Sequence, residues 1–239
     1  MKKLLIIICV LVLIIIGMYF YKSNINNKNV SALEVEQIEE YLDKLYLWKE
    51  VTGEALPTFK NINDAPDIWI WEVVKQSFED YELTYEQIQE RAVEIFGKNL
   101  TKQFPTEGTD FIYYNEEEGK YITSGMGLDT KEDSFLIKKI NKTTKGYDVE
   151  IVEYLVDYEE EMLSYAEQEP VETQEELETL DVEYDIYIKN LNEDIIATLK
   201  NTTEESDIIE TVKSNIDKFS TKNIYIIKNK ENLYVKNVE

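Results

Sequence analysis

Residues Leu4 to Tyr21 form an unbroken apolar run of 18 residues, LLIIICVLVLIIIGMYFY, directly behind Lys2 and Lys3. A helix rising ~1.5 Å per residue would carry this run across roughly 27 Å, close to the ~30 Å hydrocarbon core of a bilayer. Its 13 Leu, Ile, Val and Phe side chains favour insertion by roughly 4–8 kcal/mol, at about −0.3 to −0.6 kcal/mol each. No charge interrupts the run and no polar face divides it, which argues against a buried helix of a soluble core. Tyr19, Phe20 and Tyr21 at its end suit the headgroup interface.

Three membrane readings follow, and they differ in what is released. A lipoprotein needs a cysteine just after the apolar region, but Cys9, the chain's one cysteine, lies inside it. A cleaved signal peptide needs a small-x-small site close behind the run. Val30-Ser31-Ala32 has that composition at some distance from Tyr21. An uncleaved signal anchor over residues 1–21 fits best. Lys2 and Lys3 before the run are matched by Lys22 and Lys28 after it, and the short N-terminal tail with its free amine favours N-inside, C-outside.

Charge agrees with an exported domain. No acid precedes Glu34, so residues 34–239 hold all 49 acids against 21 basic residues, a net charge of −28. Such a surface repels nucleic acid and anionic lipid and favours cationic partners. The region has no cysteine, so disulfides play no part in it. With aromatics at 12% of the chain it reads as globular.

After a polar, Asn-rich tether over residues 22–30, local signals predict three helices. Ser31 and Glu34 form a capping box with Val30 and Val35 as staple. Ile38, Tyr41, Leu42, Leu45 and Trp48 recur at helical spacing up to Gly53. A loop with Pro57 and Pro66 leads to a second helix over 67–81, with Ile68, Trp71, Val74 and Phe78 on one face. Thr84 and Gln87 box the third, stapled by Leu83 and Ile88 and stopped at Gly97. From Phe104-Pro105 the period becomes two, predicting strands at 109–114, 120–126, 134–141 and 147–157. A polar excursion follows to about residue 180, then strands at 181–191 and 195–200. A helix over 205–218 and a hairpin of strands beginning at 223 and 233 close the chain.

This order predicts an α+β fold: the N-terminal transmembrane helix, three helices packed on a curved antiparallel sheet, then a further helix and the C-terminal β-hairpin. A sub-boundary of the 31–239 domain is expected within the acidic segment 158–180. The order over residues 31–200 is similar to the cone-shaped nuclear-transport-factor-2-like and cystatin-like folds, in element order without a motif. The resemblance implies a pocket between sheet and helices and nothing about its ligand; the helix and hairpin after residue 200 depart from it. Usage of Lys, Asn, Ile, Tyr and Glu resembles that of AT-rich Gram-positive bacteria, which fits a protein of a one-membrane envelope.

The chain has no histidine. That removes Ser-His-Asp chemistry, histidine general bases and His-containing zinc sites, and no cofactor or catalytic residue is assigned. Ser124-Gly125-Met126-Gly127 contains GxG, but a charged turn follows it and not a helix, so it reads as a turn. Two features remain. From Gly146 to Ile188 there is no basic residue among 43 positions that hold 16 acids. The plain reading is a solvated acidic loop. The sharper one is a surface for a cationic protein or wall component, or for weakly held divalent ions, centred on Glu159, Glu160 and Glu161. The second feature is Glu153, which falls on the apolar face of Tyr147, Val149, Ile151 and Leu155. A carboxylate there is expected to turn outward at a bulge, the alternative being that it lines a pocket.

The function classes these observations leave are a non-catalytic binding or regulatory module held at the cell membrane, a glycan hydrolase working with paired carboxylates, a small-ligand carrier and a structural spacer. For the hydrolase, Trp69, Trp71 and the tyrosines would serve as sugar platforms, although Trp71 lies on an apolar helix stripe. The absence of catalytic motifs favours the binding module.

Overall fold

The structure is a computed structural model that describes residues 30–47, 52–123, 133–160, 184–200 and 205–239. It shows an α+β protein with antiparallel sheets. The apolar run Leu4–Tyr21 and the turn at residues 124–127 lie outside the described residues. Among the described residues no helix is long and apolar enough to cross a membrane.

Four α-helices are described: α1 (Ala32–Leu45), α2 (Asp67–Gln76), α3 (Tyr85–Phe96) and α4 (Glu205–Ser214). Both capping boxes form as expected, Ser31 with Glu34 on α1 and Thr84 with Gln87 on α3. Each satisfies amides that the first turn leaves without a helical partner. Two helices are shorter than their periodicity predicts. α1 stops at Leu45, where Tyr46 turns extended, and Tyr46 and Leu47 are both buried. Three consecutive apolar residues cannot share one helix face, and the Leu47 amide bonds the Ala55 carbonyl. α2 stops at Gln76 because the Ser77 hydroxyl donates to the Val74 carbonyl and the Arg91 guanidinium donates to the Ser77 carbonyl.

Among the described residues nine strands make two sheets. The smaller has the order β1-β3-β2, from β1 (Glu82–Leu83), β2 (Ile112–Asn115) and β3 (Lys120–Thr123). β1 is too short for any periodicity, and in the sequence its Leu83 shows only as the staple of the following helix. The larger sheet runs β7-β6-β5-β8-β9 with β4 also on β5. Its strands are β4 (Asp133–Lys142), β5 (Gly146–Glu160), β6 (Tyr184–Lys189), β7 (Ile195–Lys200), β8 (Ser220–Asn229) and β9 (Asn232–Val238). The expected single curved sheet is thus two sheets.

The chain divides into two compact units. Of the described residues, those within 30–131, 137–151 and 221–239 make the first, and those within 133–136 and 152–220 the second. The division cuts β5 between Ile151 and Val152. Most of the acidic segment 158–180 lies outside the described residues.

In the first unit the C-terminal hairpin is integral to the sheet, not an appendage. β8 lies against β5 so closely that a Cβ on Gly146 would sit 1.9 Å from the Ile226 carbonyl oxygen. Phe59 and Val238 exchange backbone hydrogen bonds of 2.9 Å. The core is an aromatic chain: Phe59 to Trp69 to Phe96, with centroids 5.6 and 5.5 Å apart, and Trp71 to Phe104 at 5.2 Å. Trp69 and Trp71 are both buried, which removes them as sugar platforms, and the Trp69 indole N–H donates to the Leu45 carbonyl. In the second unit β6 pairs β5 and β7 on either side, and Ile186 and Ile188 are buried with Ile208 and Val212 of α4.

Candidate functional site

α1, α2, α3 and the β8–β9 turn enclose a cleft of about 630 Å³ in the first unit. Buried Tyr41, Val73 and Leu233 and half-buried Ile95 make its floor. Its rim carries the amides of Gln37, Gln76 and Asn232, the cations Lys44 and Arg91, and the carboxylates Glu40, Glu94 and Glu231.

Tyr41 builds the floor. On the buried stripe of α1, it donates from its hydroxyl to the Ile95 carbonyl of α3 at 3.1 Å and accepts from the Val235 amide of β9 at 2.7 Å. Burial pushes this hydroxyl well above the usual phenol range, so it stays a neutral donor and acceptor. One side chain therefore ties together three of the elements around the cleft.

Arg91 is similarly fixed. It reaches the Ser77 carbonyl at 2.5 Å, pairs with Glu94 at 3.0 Å through Nε, and lies over the Phe78 ring at 4.5 Å. Gln76 donates to Glu72 at 3.2 Å. Glu40, Glu94 and Glu231 are exposed. A general acid tuned by desolvation is buried in an apolar setting, and these three are not. Among the described residues no group of three or more acids or cysteines is placed to hold a metal ion.

The residues singled out in the sequence lie elsewhere. Glu153 does not turn outward: it is 2% exposed, because β5 is buried on both faces from Ile151 to Val156. Glu159 and Glu160 end β5, their backbones opposite Asp185 and Tyr184 of β6, and Glu161 lies outside the described residues. Glu153 is not among the described residues that line the cleft. The cleft residues carried no motif. The one trace of them in the sequence is polar residues beside the apolar helix stripes: Gln37 before Ile38, Glu40 before Tyr41 and Glu94 before Ile95.

Comparison of the chain with protein-family models, curated proteins and solved structures returns no match.

Proposed function

We propose that this protein is a membrane-tethered, extracytoplasmic binding module that recognises a protein or wall component through the helix–hairpin cleft. The observation that carries the reading is the build of the cleft. An apolar floor under a rim of amides and both signs of charge suits a ligand with apolar and hydrogen-bonding groups, such as a peptide. The exposure of its carboxylates counts for binding and against hydrolysis, and its polar rim counts against a carrier of purely apolar cargo. The run Leu4–Tyr21 supplies the tether, and the acidic stretch 146–188 is a further contact surface for a cationic partner.

The cleft is tested by Gln37→Trp, which fills it from a half-exposed position of α1. Protein captured from envelope extract by the full-length chain should fall at least tenfold with Gln37→Trp, at unchanged melting temperature. Equal capture by both would remove the cleft from the function. The tether makes a separate prediction. Protease added to intact cells should degrade residues 31–239 while leaving cytoplasmic markers whole, and complete protection of the domain would place it on the other side of the membrane.

A further inference from the structure

Three tyrosines form a shallow aromatic seat on the small sheet, and none of them lines the cleft. Tyr121 of β3 is its floor, 5% exposed, with its hydroxyl donating to the Thr106 carbonyl at 3.2 Å. Tyr114 of β2, the register partner of Tyr121, is 40% exposed, with its ring 5.0 Å from that of Tyr121 and tilted by 53°. Tyr85, the first residue of α3, lies 6.5 Å from Tyr121 at 45°, its hydroxyl donating to Gln103 at 2.8 Å. The rings are therefore held by bonds and packing, and little entropy is lost when one is covered.

Among the described residues, the charges beside the seat are mostly acidic. Exposed Glu86 and Glu107 lie close enough for their charge to act on the Tyr121 hydroxyl, after burial and the two neighbouring phenols. Glu116, Glu117 and Glu118 follow β2 directly, all exposed. Lys120, the cation of the three strands, is held by Glu82 at 2.5 Å. Of seven large apolar side chains exposed among the described residues, Tyr81, Tyr113 and Tyr114 belong to this sheet or its border. An aromatic face attracts a cation through its quadrupole, and nearby carboxylates add to that attraction while repelling anions.

We infer that the seat of Tyr85, Tyr114 and Tyr121 docks a lysine- or arginine-bearing segment of a partner protein. One cationic head lies over the exposed Tyr114 ring, which buried Tyr121 supports from beneath, with Glu86 and Glu107 selecting its sign. The inference shares with the binding-module reading only the premise that the protein works by recognition; its surface and its test are separate from the cleft.

The experiment measures binding of fluorescent hexalysine to the full-length chain in non-ionic detergent, against hexaglutamate as the anionic control. Tyr114→Leu keeps apolar cover on Tyr121 but removes the π-face, and should weaken hexalysine about three- to fivefold. Tyr114→Phe keeps the ring and should stay within about 1.5-fold. The pair Glu86→Gln and Glu107→Gln should weaken binding about threefold and flatten its salt dependence. Replacing Glu159, Glu160 and Glu161 by Gln removes what the acidic stretch contributes to hexalysine binding, and Tyr114→Leu should weaken the remaining binding by the same factor; Gln37→Trp should change little. Unchanged affinity in Tyr114→Leu, or loss confined to the 159–161 variant, would overturn the seat. A loss with Gln37→Trp would assign cation binding to the cleft instead.

Discussion

Lys75→Met should destabilise the first unit by about 3–5 kcal/mol, the usual consequence of leaving one partner of a buried ion pair behind. The Glu72 side chain is 2% exposed and that of Lys75 11%, with their charged atoms 3.0 Å apart. Glu72 Oε1 also accepts from Gln76, but Oε2 is buried without a hydrogen-bond partner. The carboxylate is already under-satisfied in the native protein, so nothing described can take over when the ammonium leaves. Methionine keeps most of the lysine stem's volume, so the loss reports on charge and not on a cavity. Lys75 also lies over the Phe111 ring at 5.2 Å, which adds a smaller cation–π loss.

Replacing both Glu72 and Lys75 by methionine should recover most of the stability, because two apolar chains of similar volume escape the desolvation penalty that the pair carries. Fluorescence of Trp69 and Trp71, both in this unit, follows its unfolding without assuming that the two units melt together. A loss under about 1 kcal/mol in Lys75→Met would mean that the pair is hydrated in solution.

The cleft and the seat differ in how far the sequence exposes them. Capping boxes are local, with donor and acceptor three residues apart, so Ser31–Glu34 and Thr84–Gln87 could be read directly. Helix ends depend on what the next residues bury against. Nothing within α1 says that Tyr46 and Leu47 will be covered, so its periodicity runs on too far. β1 consists of two residues whose partners on β3 lie 40 and 38 positions later, beyond any pattern in the strand itself. The C-terminal hairpin was legible as a hairpin, but its place beside β5 rests on close approach at Gly146, which alternation does not record. Glu153 breaks a two-residue period, which turns a carboxylate outward only where a strand has one solvated face, and β5 has none between Ile151 and Val156. The cleft draws on residues from Gln37 to Leu233, so no spacing rule reaches it.

Glu34→Gln should cost about 1.5–3 kcal/mol at neutral pH, and most of that difference should vanish in acid. The substitution separates two roles of one side chain. As the third residue of α1, Glu34 closes the capping box, bonding the Ser31 amide at 3.0 Å, and glutamine can do the same, as Gln87 does on α3. Its second role needs charge. Oε1 accepts from Lys142 at 2.7 Å and from the Tyr147 hydroxyl at 2.7 Å, with Lys228 at 3.7 Å. These groups fasten the first turn of α1 to β4, β5 and β8. Charge-assisted bonds of this kind contribute about 1.5–3 kcal/mol.

The Lys142 ammonium, followed by the Ser31 amide and Tyr147 hydroxyl, holds the Glu34 carboxyl well below its ordinary value of 4.5. Unfolding therefore takes up a proton below about pH 4.5, and the contribution of Glu34, complete above that pH, fades as pH falls. Burial and then the Glu34 bond push Tyr147 up from 10.0 to about 12. Its contribution is complete below pH 10 and is lost as pH rises towards 12, because the unfolded phenol releases its proton first. Glu34→Gln removes the acid dependence of this site and, with the carboxylate gone, shortens the alkaline one. Comparing melting temperatures of the two proteins at pH 3, 7 and 11 cancels the titration of the other acids. The gap should be widest at pH 7 and should shrink most at pH 3. A gap of equal size at pH 3 and pH 7 would show that the carboxylate is not held in its charged form, and that α1 is fastened to the sheet by packing alone.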